Sequence, residues 1–262
     1  MSRTLRKQYQ RLQKQEDKIL NQQPNPYMQS TLAPALKKLE SKIPPKLKTT
    51  LDTAFYKSFQ LVFEKGVHVI EKTYNKEKIQ MEHDIHHYAM EQQVTRKHVR
   101  SLDRRSKFSR FLNTSLTTVE GTLLGALGIG IPDIFLLTAF LMRTIYEIAL
   151  SYGYDYTDEA EQSYILLLLS AAMAQGEAKK SLNDRLDTLG QDIDQRRKID
   201  IHLQQTMQET AGILSDAILT AKFIQTIPIV GIVGGAVNYH ISRKIGKFAT
   251  VKYKKRYLMQ KR

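Results

Sequence analysis

Gly125 to Asp155 read GALGIGIPDIFLLTAFLMRTIYEIALSYGYD, and the fold turns on how this stretch is divided. Pro132 sits where a helix tolerates proline, at its first position, and Asp133 places a negative charge in the first turn, where the helix dipole favours one. Gly153 is a natural stop. The segment therefore predicts a helix from Pro132 to about Gly153, entered from a glycine-rich turn. A phosphate-cradling loop would continue as Gly-Lys-Ser/Thr into a helix after a strand. Here Ile-Pro-Asp follows, no strand precedes it, and Asp133 would repel phosphate.

Working outward, TDEAEQSYILLLLSAAMAQG has acids in its opening turn, an apolar body and Gly176 at its end, which predicts another helix. Residues 178–189 and 192–226 predict two more, the latter with Ile199, Leu203, Met207, Ile213, Leu214, Ile218 and Leu219 inward. A final helix is expected from Pro228 into the basic tail. Upstream, Phe108, Leu112, Leu116, Val119, Leu123 and Leu127 recur at helical spacing. Leu51, Phe55, Phe59, Val62, Phe63, Val67 and Ile70 do the same and mark a core face. Residues 76–100 form a more charged, more exposed helix. Pro24, Pro26, Pro34, Pro44 and Pro45 break up the chain before it. No stretch alternates with period two, so the expectation is all-α: a multi-helix domain with a Gly-rich apolar helical hairpin and a long basic C-terminal helix. The parts are a basic N-terminal helix at 1–20, a Pro-rich connector at 21–48 and an all-α domain at 50–262.

Gly121, Gly125 and Gly128 near the first Ile-Pro pair are echoed by Gly231 and Gly235 near Ile227-Pro228. Glycine inside a helix costs roughly 1 kcal/mol relative to alanine, so the clusters are assigned to close helix packing. Gly121–Met142 holds one formal charge in 22 residues and Phe223–Ser242 none in 20. That length would permit a span. Proline breaks both, Arg143 and Glu147 lie on the second helix of the first, and Gln225, Asn238 and His240 lie in the second. Three environments stay open: a buried core, a hairpin partly inserted at a membrane surface, and true spans.

The 262 residues carry 40 Lys and Arg against 26 Asp and Glu, a formal +14. Residues 1–15 hold five basic groups and no acid, 95–110 seven and one, and 243–262 nine and none. Such clusters attract an anionic membrane or a phosphate backbone. Arg104, Arg105, Lys107, Arg110, Lys252, Lys254, Lys255 and Arg256 are the candidate lipid- or anion-binding groups, with the tyrosines of KYKKRYLMQKR as interface anchors. Nucleic acid satisfies the same charge criterion, but no helix-turn-helix, RNA-recognition or zinc-finger signature accompanies it, and it is disfavoured. The absence of cysteine excludes disulfides, thiolate metal sites and thiol nucleophiles and fits a cytoplasmic setting. The N-terminus has no apolar run of signal-peptide type.

VEGTLLGALGIGIPDIFLLTAFLMRTIYEIALSYGYD and IPIVGIVGGAVNYHISRKIGKFATVKYKKRYL resemble the two signature segments of the EcsC protein family. The resemblance covers about 95–260. It rests on Glu120, Gly121, Gly125, Gly128, Pro132, Asp133, Glu147, Tyr152, Gly153 and Asp155 in the first block. In the second it rests on Pro228, Gly231, Gly235, Asn238, Tyr239, Arg256 and Tyr257. It implies a bacterial, membrane-linked protein, an accessory to an ABC-type exporter or secretion system, and no established reaction.

Catalytic candidates are confined to Glu120, Asp133, Arg143 and Glu147, of which the last two form an i, i+4 pair that a buried network could join. His83 and His87, also one turn apart, could share a metal, but the HExxH pattern is missing and an exposed polar face is preferred. No metal and no cofactor are assigned. The resulting expectation is a non-enzymatic protein at the inner face of the cell membrane, binding anionic lipid. An enzyme with a buried carboxylate/Arg site and a nucleic-acid binder are the alternatives.

Overall fold

The structure, a computed structural model, describes residues 3–22, 45–93, 95, 132–225 and 234–261. All secondary structure among these residues is helical. Helix α1 spans Arg3–Leu20. Helix α2, Pro45–Leu61, runs through a π-helical turn at Val62–Gly66 into α3, Val67–Glu71, and α4 spans Lys76–Gln92. The remaining helices are α5 (Pro132–Ser151), α6 (Glu159–Met173), α7 (Gly176–Asp194), α8 (Leu203–Gln225) and α9 (Gly234–Gln260). The expected helix at Phe108–Leu127, the connector at 23–44, and Gly121, Gly125, Gly128 and Gly231 lie outside the described residues. Gly235 falls in the first turn of α9.

Packing neighbours form a closed circuit, α5 to α2 to α8 to α6 to α9 and back to α5, with α4 outside on α5, α7 outside on α6 and α1 outside on α9. Helix α6 is buried at every position from Ala160 to Met173, because it is covered by α7, α8 and α9 together. Of its two serine hydroxyls, that of Ser170 donates to Thr210 Oγ1 across the α6–α8 contact at 3.0 Å, while that of Ser163 has no hydrogen-bond partner among the described residues. Helix α5 has the length and apolarity to cross a membrane over Ile134–Ser151, mean hydropathy 1.6, yet 78% of that window is buried inside the protein. Contacts with α2, α4 and α9 take up its apolar surface. Its hydroxyls turn back on the helix, Thr138 Oγ1 to the Ile134 carbonyl at 2.8 Å and Thr144 Oγ1 to Phe140 at 2.9 Å. On α2, Phe55 and Phe59 are fully buried, each contributing roughly 1.5–3 kcal/mol by transfer from water.

The ends of α5 and the start of α6 follow their local signals, but α6 stops at Met173, and Gly176, expected to end it, is the first residue of α7. Helix α5 starts at Pro132 and closes on Gly153, whose φ is +81°. The Gly153 N–H donates to the Leu150 carbonyl at 2.9 Å and the Tyr154 N–H to Ala149 at 3.0 Å, the paired bonds of a Schellman closure. Asp158 caps α6 by accepting from the Ala160 N–H at 3.1 Å. The expected helix at 192–226 is instead two elements with a non-helical stretch between them. Helix α7 runs to Asp194 and closes with Arg196 at φ +52°, its N–H on Ile193, and the Arg197 N–H on Asp192. Ile199 therefore lies in the connection to α8, not on its inward face. Helix α1 is not a separate appendage: it packs on α9, with Leu5 and Leu12 in the core.

Candidate functional site

The stretch KYKKRYL, 252–258, lies in the last turns of α9, where helical spacing sends Lys252, Lys255 and Arg256 toward α1, α6 and α7. Arg256 is 6% exposed. Its Nη1 donates to Glu161 Oε1 at 2.8 Å and its Nη2 to Asp194 Oδ1 at 2.7 Å, so one guanidinium holds carboxylates from α6 and α7 in place. The same group stacks over the rings of Tyr154 and Tyr164, 4.2 Å from each centroid. Burial raises the pKa of Glu161, and the Arg256 charge opposes that rise. Helix α7 approaches this closely because Gly190 has no side chain: a Cβ there would come within 2.9 Å of the Tyr164 ring and 3.1 Å of Arg256 Cδ.

Beside it, Lys252 and Lys255 each pair with both Glu16 and Asp187. Lys252 meets Glu16 in a short contact and Asp187 at 2.7 Å; Lys255 meets Glu16 at 2.7 Å and Asp187 at 2.9 Å. This four-membered ring of charge joins α1, α7 and α9. Burial works against the Lys255 charge, but the two carboxylates more than offset it and its pKa rises. The assignment of Lys252, Lys254, Lys255 and Arg256 to a lipid-facing surface is thereby corrected. Lys252, Lys254 and Arg256 are buried, Lys255 is half-buried and paired, and Tyr253 and Tyr257 lie in the core. Acids far away in sequence neutralise the tail from within.

A second polar cluster joins α3, α4 and α5. Tyr156 donates its hydroxyl to Glu71 Oε1 at 2.6 Å and lies 2.6 Å from the Tyr74 hydroxyl; Lys76 Nζ donates to the same Glu71 oxygen at 2.6 Å. Tyr146 stacks on Tyr156 with centroids 3.9 Å apart. The expected Arg143–Glu147 pair forms, at 2.9 Å, with the Arg143 guanidinium 6.0 Å from the Tyr74 ring centroid. Burial raises the Glu147 pKa, and Arg143 opposes it. Glu120 and the Asp133 side chain lie outside the described residues, as do Arg104, Arg105, Lys107 and Arg110. Glu71, Tyr74 and Tyr156 had no sequence signal, since their contact spans 82 to 85 positions.

His83 and His87 are half-buried rather than on a fully exposed face. Their rings are 5.4 Å apart and both pack edge-on against Tyr257. His83 Nδ1 donates to the Ser151 carbonyl at 3.2 Å, and its ring fills the space beside Gly153. His87 lies 3.0 Å from Lys261 Nζ and 3.1 Å from Glu91. Among the described residues no group of three or more His, Cys, Asp or Glu is arranged to hold a metal.

Tyr152, next to the end of α5, thus meets Tyr257 at the end of α9, and Gly153 lies against His83, which packs on the same Tyr257. The Tyr152 and Tyr257 rings are 6.3 Å apart, and Arg256 stacks on the neighbouring Tyr154. Among the described residues, the end of the first signature block and the end of the second come together. The model of the EcsC protein family matches residues 6–258. The chain belongs to the EcsC protein family. Among curated relatives, Protein EcsC of Bacillus subtilis (strain 168) is 29% identical over 130 residues, 49% of this chain and 51% of the relative. Uncharacterized protein YdbA of the same organism is 26% identical over 151 residues, 56% of this chain and 55% of the relative. The aligned parts are thus about half the length of each relative. No solved structure matches. The EcsC match begins at residue 6, well before the 95–260 span that its motifs mark. The ion pairs of Glu16 give a physical reason, since α1 completes the α9 cluster.

Two cations of this EcsC domain, half-buried Lys244 and buried Lys179, have no acid among the described residues to offset their burial. Burial first, and the neighbouring Lys179 second, push the Lys244 pKa down to about 8, while Lys179 itself donates to the Ile19 carbonyl at 2.7 Å. Between pH 8 and the ordinary 10.5 the unfolded chain holds this proton and the folded chain releases it, so Lys244 makes stability rise with pH across that window. Lys244→Met should raise the melting temperature at pH 7 and remove that part of the rise. Melts of both proteins from pH 7 to 11 check it, and an unchanged difference across the window would refute the assignment.

Proposed function

We propose that this EcsC-family protein is a non-enzymatic peripheral membrane protein that binds an anionic lipid surface, with the outward face of α1 as its contact. The observation carrying this is the distribution of charge on that helix. Arg3, Arg6, Lys7, Arg11, Lys14 and Lys18 are exposed, Asp17 is the exposed acid beside them, and Leu5, Leu12 and Glu16 face inward. Lys252, Lys255 and Arg256 of the basic tail are paired internally, whereas α1 presents its cations to solvent. Each basic group near an acidic leaflet contributes roughly 1 kcal/mol. The setting we propose is the inner face of the cell membrane, beside an ABC-type transporter or secretion system, as the family resemblance implies.

The polar clusters at Arg256 and Glu71 favour a structural role over catalysis, because their charged groups are occupied by one another. Co-sedimentation with phosphatidylcholine vesicles containing increasing phosphatidylglycerol, across a salt titration, tests the reading. Binding should grow with anionic lipid and fall with salt. The charge reversal R6E/K7E/R11E/K14E should weaken it at least about 100-fold, as four lost contributions require. Equal binding by that variant, or none by the native chain, would refute the α1 contact. Retention through carbonate extraction would point to inserted helices instead, and preferential capture by duplex DNA would move the assignment to nucleic acid.

A further inference from the structure

A groove of about 910 Å³ runs between α6, α7 and α8 and the connection at 199–202. None of its lining residues belongs to either polar cluster. Leu167, Leu189, Ile199 and Ile201 give it apolar lining. Ser163 also lines it; this residue is 6% exposed, and its buried hydroxyl has no hydrogen-bond partner among the described residues. A buried hydroxyl left unpaired is costly, and a ligand that supplies a donor removes the cost.

The walls are acidic in a chain of formal charge +14: Glu177, Asp184, Asp192, Asp200 and Glu209 face Lys180 and Arg185. Glu177 pairs with Lys180 at 2.9 Å, Asp192 with Arg197 at 3.0 Å, and Glu209 only loosely with Arg185 at 3.5 Å. His202 lies 3.3 Å from Asp200. Asp184 has no ion-pair partner among the described residues. Negative charge gathered in a concave, partly apolar site focuses attraction for cations even on a basic protein.

We infer that this groove binds a small linear organic polycation, its alkyl segments on the leucines and isoleucines, its ammonium groups on the wall carboxylates, and one N–H on Ser163 Oγ. The volume lies within the roughly 300–1,000 Å³ of small-ligand sites. A bare metal ion fits less well, because no group of three or more of these acids is arranged to coordinate one. The carboxylates come from α7, the connection at 199–202 and α8, as separated ammonium groups require.

Calorimetric titration of the full chain with spermidine at low salt, without lipid, tests this site. Saturable one-to-one binding is expected. Asp184→Asn should weaken it at least about fivefold, consistent with loss of a charge-assisted hydrogen bond. Ser163→Ala should weaken it by a smaller factor. Thr188→Arg, which places a cation in the groove from an exposed position, should abolish binding, while Asp17→Asn on α1 should leave it unchanged. Melting curves establish that each variant is folded, and if Asp184→Asn fails to fold, Thr188→Arg decides. Non-saturable heat, unchanged affinity in Thr188→Arg, or equal binding of magnesium chloride would overturn the site. Thr188→Arg should bind anionic vesicles as the native chain does, so failure here and failure of the membrane reading are separable.

Discussion

Arg256→Ala should lower stability by about 3–5 kcal/mol, the cost of leaving a buried charge without its partner. The residue left behind is Glu161, 3% exposed, whose other polar neighbours cannot neutralise it. Three interactions go at once: the two-oxygen grip on Glu161, the contact with Asp194, and the stacking over Tyr154 and Tyr164. Arg256→Lys should recover little, because an ammonium cannot reach both carboxylates in plane while stacking on two rings. The loss depends on pH in a defined sense. Burial already raises the Glu161 pKa, and removing Arg256 takes away the group opposing that rise. The penalty is therefore full at neutral pH and shrinks as pH falls and Glu161 takes up a proton. Urea unfolding at pH 7 and pH 4.5 measures both parts, and an equal loss at the two values would show that packing, not charge, holds the site. Adding Glu161→Gln to Arg256→Ala should restore more than half of the loss at pH 7.

Gly153→Ala should cost about 2–4 kcal/mol from two separable sources, a left-handed backbone and an overpacked contact. The φ of +81° disfavours any Cβ, and the Cβ would fall near the imidazole of His83. That ring is held by its hydrogen bond to the Ser151 carbonyl and by Tyr257 on its other side, so it cannot simply swing away. His83→Ala removes the collision and leaves the backbone term. In a double-mutant cycle the coupling should be at least about 1 kcal/mol in favour of the double variant. Additive effects would locate the whole cost in the backbone.

What was legible in the sequence was whatever is decided by near neighbours. Pro132, Asp133 and Gly153 mark the ends of α5 because capping and left-handed closure are matters of a few residues. The Arg143–Glu147 pair follows from one helical turn. The break at 195–202 was missed because its left-handed position is filled by Arg196, where glycine would have announced the stop. The tail was misplaced for a different reason. Counting Lys252, Lys255 and Arg256 gives their charge but not their partners, and Glu16 lies 236 positions from Lys252. Lys252 and Lys255 share the acids of two other helices only once α9 has docked. Even the placement of His83 and His87 depends on Tyr257, 170 positions beyond His87. The family motifs did locate the cluster, since the signature positions Gly153, Arg256 and Tyr257 all fall within it.

Glu16 also fixes an order of events during synthesis. Helix α1 leaves the ribosome with a carboxylate destined for the interior, and the two lysines that neutralise it follow 236 and 239 positions later. Glu161, Asp187 and Asp194 wait for the same segment. A nascent chain stalled before Lys252 would thus carry four acids prepared for an interior that it cannot yet close. The last turns of α9 act as the closing clasp, and shortening them should leave a chain for quality-control proteases to find.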